Sequence, residues 1–289
     1  MSTDVRPFRA SKSRPRMTLG SWLLTIALSV GCLLVLMPVV WMVLTSLKAP
    51  DQVFQMPPIW IFEPQWSNYP EVLQLVPFQR YILNTATIVG LVTVGTLLSC
   101  SFCAYGFARL KAPGRNAIFL ILMATLMLPT TVTLVPTYIV FNHLGWLNTF
   151  KPLILPAFFG SAFFIFLFRQ FFLGIPKELE EAARIDGAGY LRIWWTIFLP
   201  LSWPVIATVS VFTFVAAYND FFGPVIYLSD ESKYTIAVAL SYFSGSPRIG
   251  PQTHLLMAAT TIAALPSIVV FLLAQRYFIK GIAVSGVSK

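Results

Sequence analysis

Six stretches of this chain run for seventeen residues or more without an Asp, Glu, Lys or Arg: 17–47, 81–108, 116–150, 152–168, 193–219 and 249–275. About 20 consecutive apolar residues suffice to cross the hydrocarbon core of a bilayer. Only 11% of the residues are charged, against about 25% in an ordinary soluble protein, so there is too little polar surface to enclose these runs in a soluble core. A soluble enzyme and a disordered chain are both disfavoured. The pattern predicts an all-α integral membrane protein with six transmembrane helices.

The runs differ. In the short fourth run, Arg169 can reach the headgroups, and Phe171, Phe172 and Leu173 lengthen the span. The third contains Pro129 and Pro136 and is expected to kink, leaving the membrane near His143 and Gly145. The fifth begins on a loop and enters the membrane near Leu201. A further uncharged stretch, 234–247, is too short and too rich in Ser, Gly and Pro to span. The first run follows five basic residues but is far longer than a signal-peptide core, so it reads as a retained span.

The net charge of +9 follows topology. With both termini cytoplasmic, the inner segments hold fifteen Lys and Arg, and the outer loops hold five: Lys48, Arg80, Lys151, Lys233 and Arg248. A cationic excess on cytoplasmic loops is what orients such proteins. Five acids fall on each side and Asp220 in a span, so orientation accounts for the whole net charge. A nucleic-acid partner would require a basic face with stacking aromatics and is not expected. Cys32, Cys100 and Cys103 lie in apolar runs, and His143 and His254 are isolated, so no metal site is expected.

The stretch Pro176 to Pro200 is the most unusual: PKELEEAARIDGAGYLRIWWTIFLP. Pro176 suits a helix start. Glu178, Glu180 and Glu181 favour the positive end of a helix over Lys177 to Ile185. Gly187 and Gly189 are expected to end that helix with positive φ. A second short helix, Leu191 to Phe198, would present Ile193, Trp194 and Ile197 on one side, and Pro200 marks entry to the fifth span. The expected product is a compact helix–turn–helix on the cytoplasmic face.

Its spacing is specific. Glu181-Ala182-Ala183, three residues, Gly187, nine residues, Ile197, one residue and Leu199-Pro200 complete the pattern E-A-A-x3-G-x9-I-x-L-P. This resembles the signature of permease subunits of binding-protein-dependent ABC importers. Leu167 to Phe172, Ile175 to Leu179, Ser46-Leu47-Lys48, Asn68-Tyr69 and the tail from Lys280 are similar to the carbohydrate branch, above all to the smaller permease subunit of maltose and glycerol-phosphate importers. Relatives usually carry Trp where Tyr218 precedes Asn219.

The resemblance implies a type I importer permease fold in the cytoplasmic (plasma or inner) membrane, forming half of a sugar pathway. Glu181, Ala182, Ala183, Gly187, Ile197, Leu199 and Pro200 would couple it to ATPase subunits. The implied partners are two ATPases, a second permease forming a heterodimer, an extracytoplasmic solute-binding protein, the sugar and the bilayer. No G-x-x-x-x-G-K-[ST] occurs, so the chain is not expected to cradle ATP in the usual way; the resemblance implies no enzymatic activity and no cofactor in this subunit, with ATP and Mg bound by the ATPases. The resemblance also implies that Gly245, Ser246 and Pro247 probe the binding protein and that the C-tail reaches between the ATPases.

Polar residues within spans are candidate pathway groups: Asn84, Asn219 and Asp220, with the rings of Tyr218, Phe221 and Phe222 placed to stack on sugars. The competing reading of Asn219 and Asp220 is that they cap helix packing. The expected organisation is a basic N-tail over 1–18, a six-helix permease domain over 19–276 with its coupling loop at 174–200, and a C-tail over 277–289. The alternatives are the same type of permease for a non-sugar solute, an integral-membrane enzyme or a stand-alone carrier.

Overall fold

The computed structural model describes residues 19–244 and 252–285, and its regular elements are all helical. In chain order they are α1 (Leu19–Ser46), α2 (Asn68–Leu75), α3 (Phe78–Arg109), α4 (Arg115–Ala124), α5 (Thr130–His143), α6 (Lys151–Ile154), α7 (Ala162–Leu173), α8 (Lys177–Ile185), α9 (Tyr190–Ile193), α10 (Leu199–Leu201), α11 (Trp203–Tyr218), α12 (Phe222–Tyr227), α13 (Ile236–Phe243) and α14 (Thr253–Ser285). Short 3-10 turns and a π-turn at Trp194–Phe198 join them.

Among the described residues, four helical segments are long and apolar enough to cross a membrane: Gly20–Ser46, Phe78–Arg109, Lys151–Leu173 and Thr253–Gln275. Two bent pairs, Arg115–Met127 with Thr131–His143 and Tyr190–Leu201 with Trp203–Tyr218, raise the number to six if each is one span. The third span is bent far more than a proline kink, by 103°. Pro129 drives its predecessor Leu128 to an extended backbone, ψ 115°, whereas Pro136 is absorbed inside α5. The second pair turns by 81° at Ser202, so α9 and α10 lie across the bundle and α11 enters it. α14 continues beyond 276 to Ser285.

α3 is the mast. α7, the 3-10 turn Leu155–Phe159, α11 and α13 all pack against it, while α1 packs against α14 at the periphery. From Gly20 to Leu44 no residue of α1 is buried, and its exposed side chains are mostly Leu, Val and Ile; that surface suits lipid. One apolar core joins Val72, Phe78, Tyr81, Tyr218, Phe243 and Leu255, where α3 begins. A second joins Tyr105, Phe168, Phe172, Ile193, Phe198 and Val209, where α3 ends.

The fourth span is broken at mid-length. The 3-10 turn Leu155–Phe159 is followed by Gly160 at φ +87°, and α7 then resumes at Ala162. Backbone groups freed inside a bilayer need partners within the protein. Here α3 supplies them: Ser99 Oγ donates to Ala157 O at 2.9 Å, and the Ser161 N–H donates to Cys100 Sγ at 3.2 Å.

The segment after α11 is not a plain loop. It holds α12 and then α13, whose Ile236, Val238, Ala239 and Phe243 are buried. Asn148 ties it to the α5–α6 turn, accepting from the Ser229 and Asp230 N–H groups at 3.3 and 3.0 Å. Gly245, Ser246 and Pro247, and the tail beyond Ser285, lie outside the described residues.

At the same end, α2 is pinned to the C-terminus of α1. Asn68 is buried and its Nδ2 donates to Ser46 O and Lys48 O at 2.9 and 3.0 Å. The Ser46 carbonyl is one of the orphans at the helix end, and that of Lys48 follows in the turn beyond it. Asn68→Leu therefore strands two acceptors and is expected to cost about 1–3 kcal/mol, read as a lower thermal midpoint of the detergent-solubilised protein with the helical signal unchanged at low temperature.

Candidate functional site

The segment between α7 and α11 folds as its local chemistry dictates. Pro176 is the residue before α8, at ψ 138°, and Glu178 and Glu180 stand in the first turn, with Arg184 in the last. The helix ends in a Schellman turn: Gly187 N–H donates to Arg184 O at 3.0 Å and Ala188 N–H to Ala183 O at 2.9 Å. Gly187 sits at φ +78° with open space where a Cβ would stand, so its backbone angle alone requires glycine. Gly189 does not share that role; it precedes α9 at φ −74°.

After α9 the backbone passes through a π-turn at Trp194–Phe198. A π-turn inserts one residue into the helical register. Ile193 and Phe198, five apart, consequently share the buried face with Trp194, and Ile197 is only half-buried. The expected Ile193–Trp194–Ile197 face is thus displaced by one residue at its far end.

α8 has two faces. Toward the bundle lies Glu180, 7% exposed. Its Oε1 receives Arg184 Nη2 at 2.6 Å, and its Oε2 stands 4.0 Å from Arg109 Nε. The Glu180 bond raises the Arg184 pKa above its ordinary value. Arg109, at the C-terminus of α3, also donates to the carbonyls of Phe172 and Ile175 and lies 5.0 Å over the Phe198 ring. One guanidinium therefore joins α3, the end of α7, α8 and the π-turn. Away from the bundle, Glu178, Glu181, Ala182 and Ile185 form an i, i+3, i+4, i+7 stripe, all of it exposed. Ile185 is 87% exposed.

The seven predicted coupling residues therefore divide. Glu181 and Ala182 are on the open stripe, and Gly187 makes the turn. Ala183, Ile197 and Leu199 pack against the second core, and Pro200 is exposed beside them. Sequence reasoning missed Arg109 and Glu180 as a pair. Their signal, an acid one place before the motif and an arginine at the end of a span, becomes legible only when the 70 residues of intervening chain are folded.

A cavity of ≈ 360 Å³ lies between α3, α6, α7, α11 and the α12–α13 segment, with Asp220 among its lining residues. Asp220 is half-buried and its Oδ1 accepts the Gly223 N–H at 3.0 Å. The other predicted pathway residues do not line it. Asn84 Nδ2 is engaged by Ser232 O and Tyr234 O, both at 3.0 Å. Tyr218 is buried, with its hydroxyl on Ala263 O at 2.7 Å and its ring stacked on Phe214. Asn219 bonds back to Val215 O, and Phe222 is 73% exposed.

Residues 95–284 match the family model described as the binding-protein-dependent transport system inner membrane component. The chain belongs to this family. It is a multi-pass permease subunit of an ATP-driven importer, a transport component and not an enzyme. The sn-glycerol-3-phosphate transport system permease protein UgpE of Yersinia pestis bv. Antiqua is 36% identical over 264 residues, 89% of this chain and 94% of its own. The diacetylchitobiose uptake system permease protein NgcG of Streptomyces coelicolor is 30% identical over 248 residues, covering 84% and 81%. A chain from the crystal structure of a bacterial ABC transporter involved in the import of the acidic polysaccharide alginate has the same fold, with TM-score 0.79 and 24% identity, over 94% of this chain and 100% of that one.

Within this permease, Glu180→Ala leaves the enclosed Arg109 without its counter-charge. Breaking one partner of a buried pair costs about 3–5 kcal/mol, so α8 should detach from the bundle while the spans persist. Limited trypsin treatment of membranes checks this: cleavage at Lys177 and Arg184 should accelerate in Glu180→Ala and fall between that and the parent rate in Glu180→Gln.

Proposed function

We propose that this permease forms half of a carbohydrate pathway and is driven through the exposed stripe of α8 by a separate ATPase. The observation that carries the reading is the two-faced helix: one side is fixed to the bundle through Glu180, and the other shows Glu181, Ala182 and an uncovered Ile185. Small Ala182 lets the helix lie deep in a partner's cleft. Glu181 offers a carboxylate to an arginine of that partner. Movement of the ATPases would then be passed to the spans as a two-state rocking.

The lysine and arginine distribution supports an orientation with both termini and α8 on the cytoplasmic side. Two relatives are named for diacetylchitobiose uptake and for sn-glycerol-3-phosphate transport, which supports a mono- or oligosaccharide or a glycerol-phosphate-like solute as cargo. The same reading gives the permease a second permease as its partner, two ATPases and an extracytoplasmic solute-binding protein. It also assigns the 245–248 segment to that binding protein and the C-terminal tail to the ATPases.

Purification of the tagged chain from its own cell membranes tests the proposal. The wild-type chain should bring down a Walker-type ATPase, and vanadate-sensitive hydrolysis should accompany it. Glu181→Ala removes a charged contact of the kind that is worth about 2–5 kcal/mol when desolvated, so the retained ATPase should fall roughly thirtyfold or more; Ile185→Glu should act similarly. Both variants should reach the membrane at the parent level. Recovery of the wild-type chain without any ATPase, or unchanged recovery with both variants, would falsify the coupling role.

A further inference from the structure

The fifth span is bent by 81° at Ser202, which sets its first half, Tyr190–Leu201, across the axis of α11. With α11 along the membrane normal, that half lies close to the membrane plane. It reaches only ~18 Å at 1.5 Å per residue, too short to cross the hydrocarbon core. The side toward the bundle is filled by Ile193, Trp194 and Phe198, all buried in the second core. The other side is open. Leu191 is 64% exposed and Trp195 is 58% exposed; Trp203, just past the bend, is 63% exposed. Arg192 is exposed beside them.

The two legs of this helix–turn–helix differ in sign. α8 presents Glu178 and Glu181 away from the bundle. From Gly187 to Asn219, by contrast, Arg192 is the only charged residue. A cytoplasmic leaflet with anionic lipid attracts cationic segments at its surface and repels the carboxylates of α8. Leu and Trp beside a basic residue are the composition of helices that lie in a headgroup layer, and indole rings favour that zone. A cationic cleft suited to Glu181 is unsuited to Arg192.

We propose that Tyr190–Trp203 is an in-plane anchor in the cytoplasmic leaflet, with Leu191, Trp195 and Trp203 among the upper acyl chains and Arg192 on an anionic lipid headgroup. α8 alone then meets the ATPase. Arg184 connects the legs, bonding to Glu180 and lying 4.7 Å over the Tyr190 ring. α8 is thereby hinged at Gly187 to a segment that lipid holds, and a push on it turns it against the anchor instead of dragging the whole loop along the membrane. This rests on the cytoplasmic orientation proposed above and adds a lipid partner to the loop.

The test uses the assembled importer in proteoliposomes, with a bimane label on Leu191→Cys or, separately, on Trp195→Cys. Cys32, an exposed native cysteine, is replaced by alanine throughout, and the chain without an added cysteine gives the background. Phospholipids carrying a nitroxide near the top of the acyl chain should quench either label, and aqueous acrylamide should not. Nitroxide phosphatidylglycerol should quench the Leu191→Cys label at about fivefold lower mole fraction than nitroxide phosphatidylcholine, the factor one basic residue supplies at an anionic surface. Arg192→Gln should bring the two lipids to parity. Quenching by acrylamide in place of lipid marks an aqueous face, and quenching by neither marks a face covered by protein; each overturns the proposal, as does equal quenching by the two lipids with Arg192 present. ATPase recovery is measured on the same preparation, so an importer that retains its ATPase but fails the lipid test loses the anchor and keeps α8 as the coupling element.

Discussion

A chain that crosses lipid must satisfy its own backbone, because no water is present to do so. An unbroken helix does this automatically; this chain is repeatedly broken. What makes the breaks tolerable is α3, whose few polar side chains act as substitute partners for neighbouring backbone. Asn84 holds the carbonyls of Ser232 and Tyr234 before α13, and Thr85 receives the Ile236 N–H at its start. Ser99 and Cys100 serve the gap between α6 and α7. Arg109 donates to the Phe172 carbonyl in the last turn of α7 and to the Ile175 carbonyl just beyond it. These five residues of α3 thus stand where other elements end or break, while Thr87, Thr93 and Ser101 bond back to carbonyls of α3 itself.

This explains how the sequence could be read in some respects and not in others. Charge-free length marks the apolar segments, and charge asymmetry marks the loops, since both are sums over many residues. The Glu181–Pro200 pattern is legible because it is local: a capped helix, one glycine at φ +78° and a return helix are decided within 25 residues. The surroundings of Asn84 are not legible for the opposite reason. An amide within a span looks like a pathway group, yet its partners are 148 and 150 residues away in sequence. The same distance problem hid the Arg109–Glu180 pair. The displaced face of the return helix has a different origin: a π-turn leaves no compositional mark, and Phe198 fills the position at which a regular helix would place Ile197. Pro129 marks a break in the sequence, but its size, a 103° bend, is not encoded in a single proline.

The buried ion group deserves weight for its connectivity more than for its stability. Enclosed pairs often contribute little net free energy relative to an apolar replacement. Their geometry, however, is directional, and Arg109 is engaged on several sides at once: two carbonyls, a carboxylate and an aromatic face. A displaced α8 cannot keep Glu180 in place unless Arg109 follows or the pair breaks. Hydrophobic contact alone would let α8 slide, since apolar packing is non-directional.

The same helix that ends in Arg109 carries Thr85 and Thr96 on the cavity wall. Loop and cavity are therefore two stations on one rigid element, about 20 Å apart from Thr96 to Arg109 at helical rise. In the proposed reading, a push on the exposed stripe of α8 is passed through the Glu180–Arg109 pair to the end of α3, the helix that also lines the cavity. Only the break before α7 is repaired by α3, through Ser99 and Cys100, whereas Ser202 bonds back to Phe198 O within its own segment; the two breaks are therefore held by different elements.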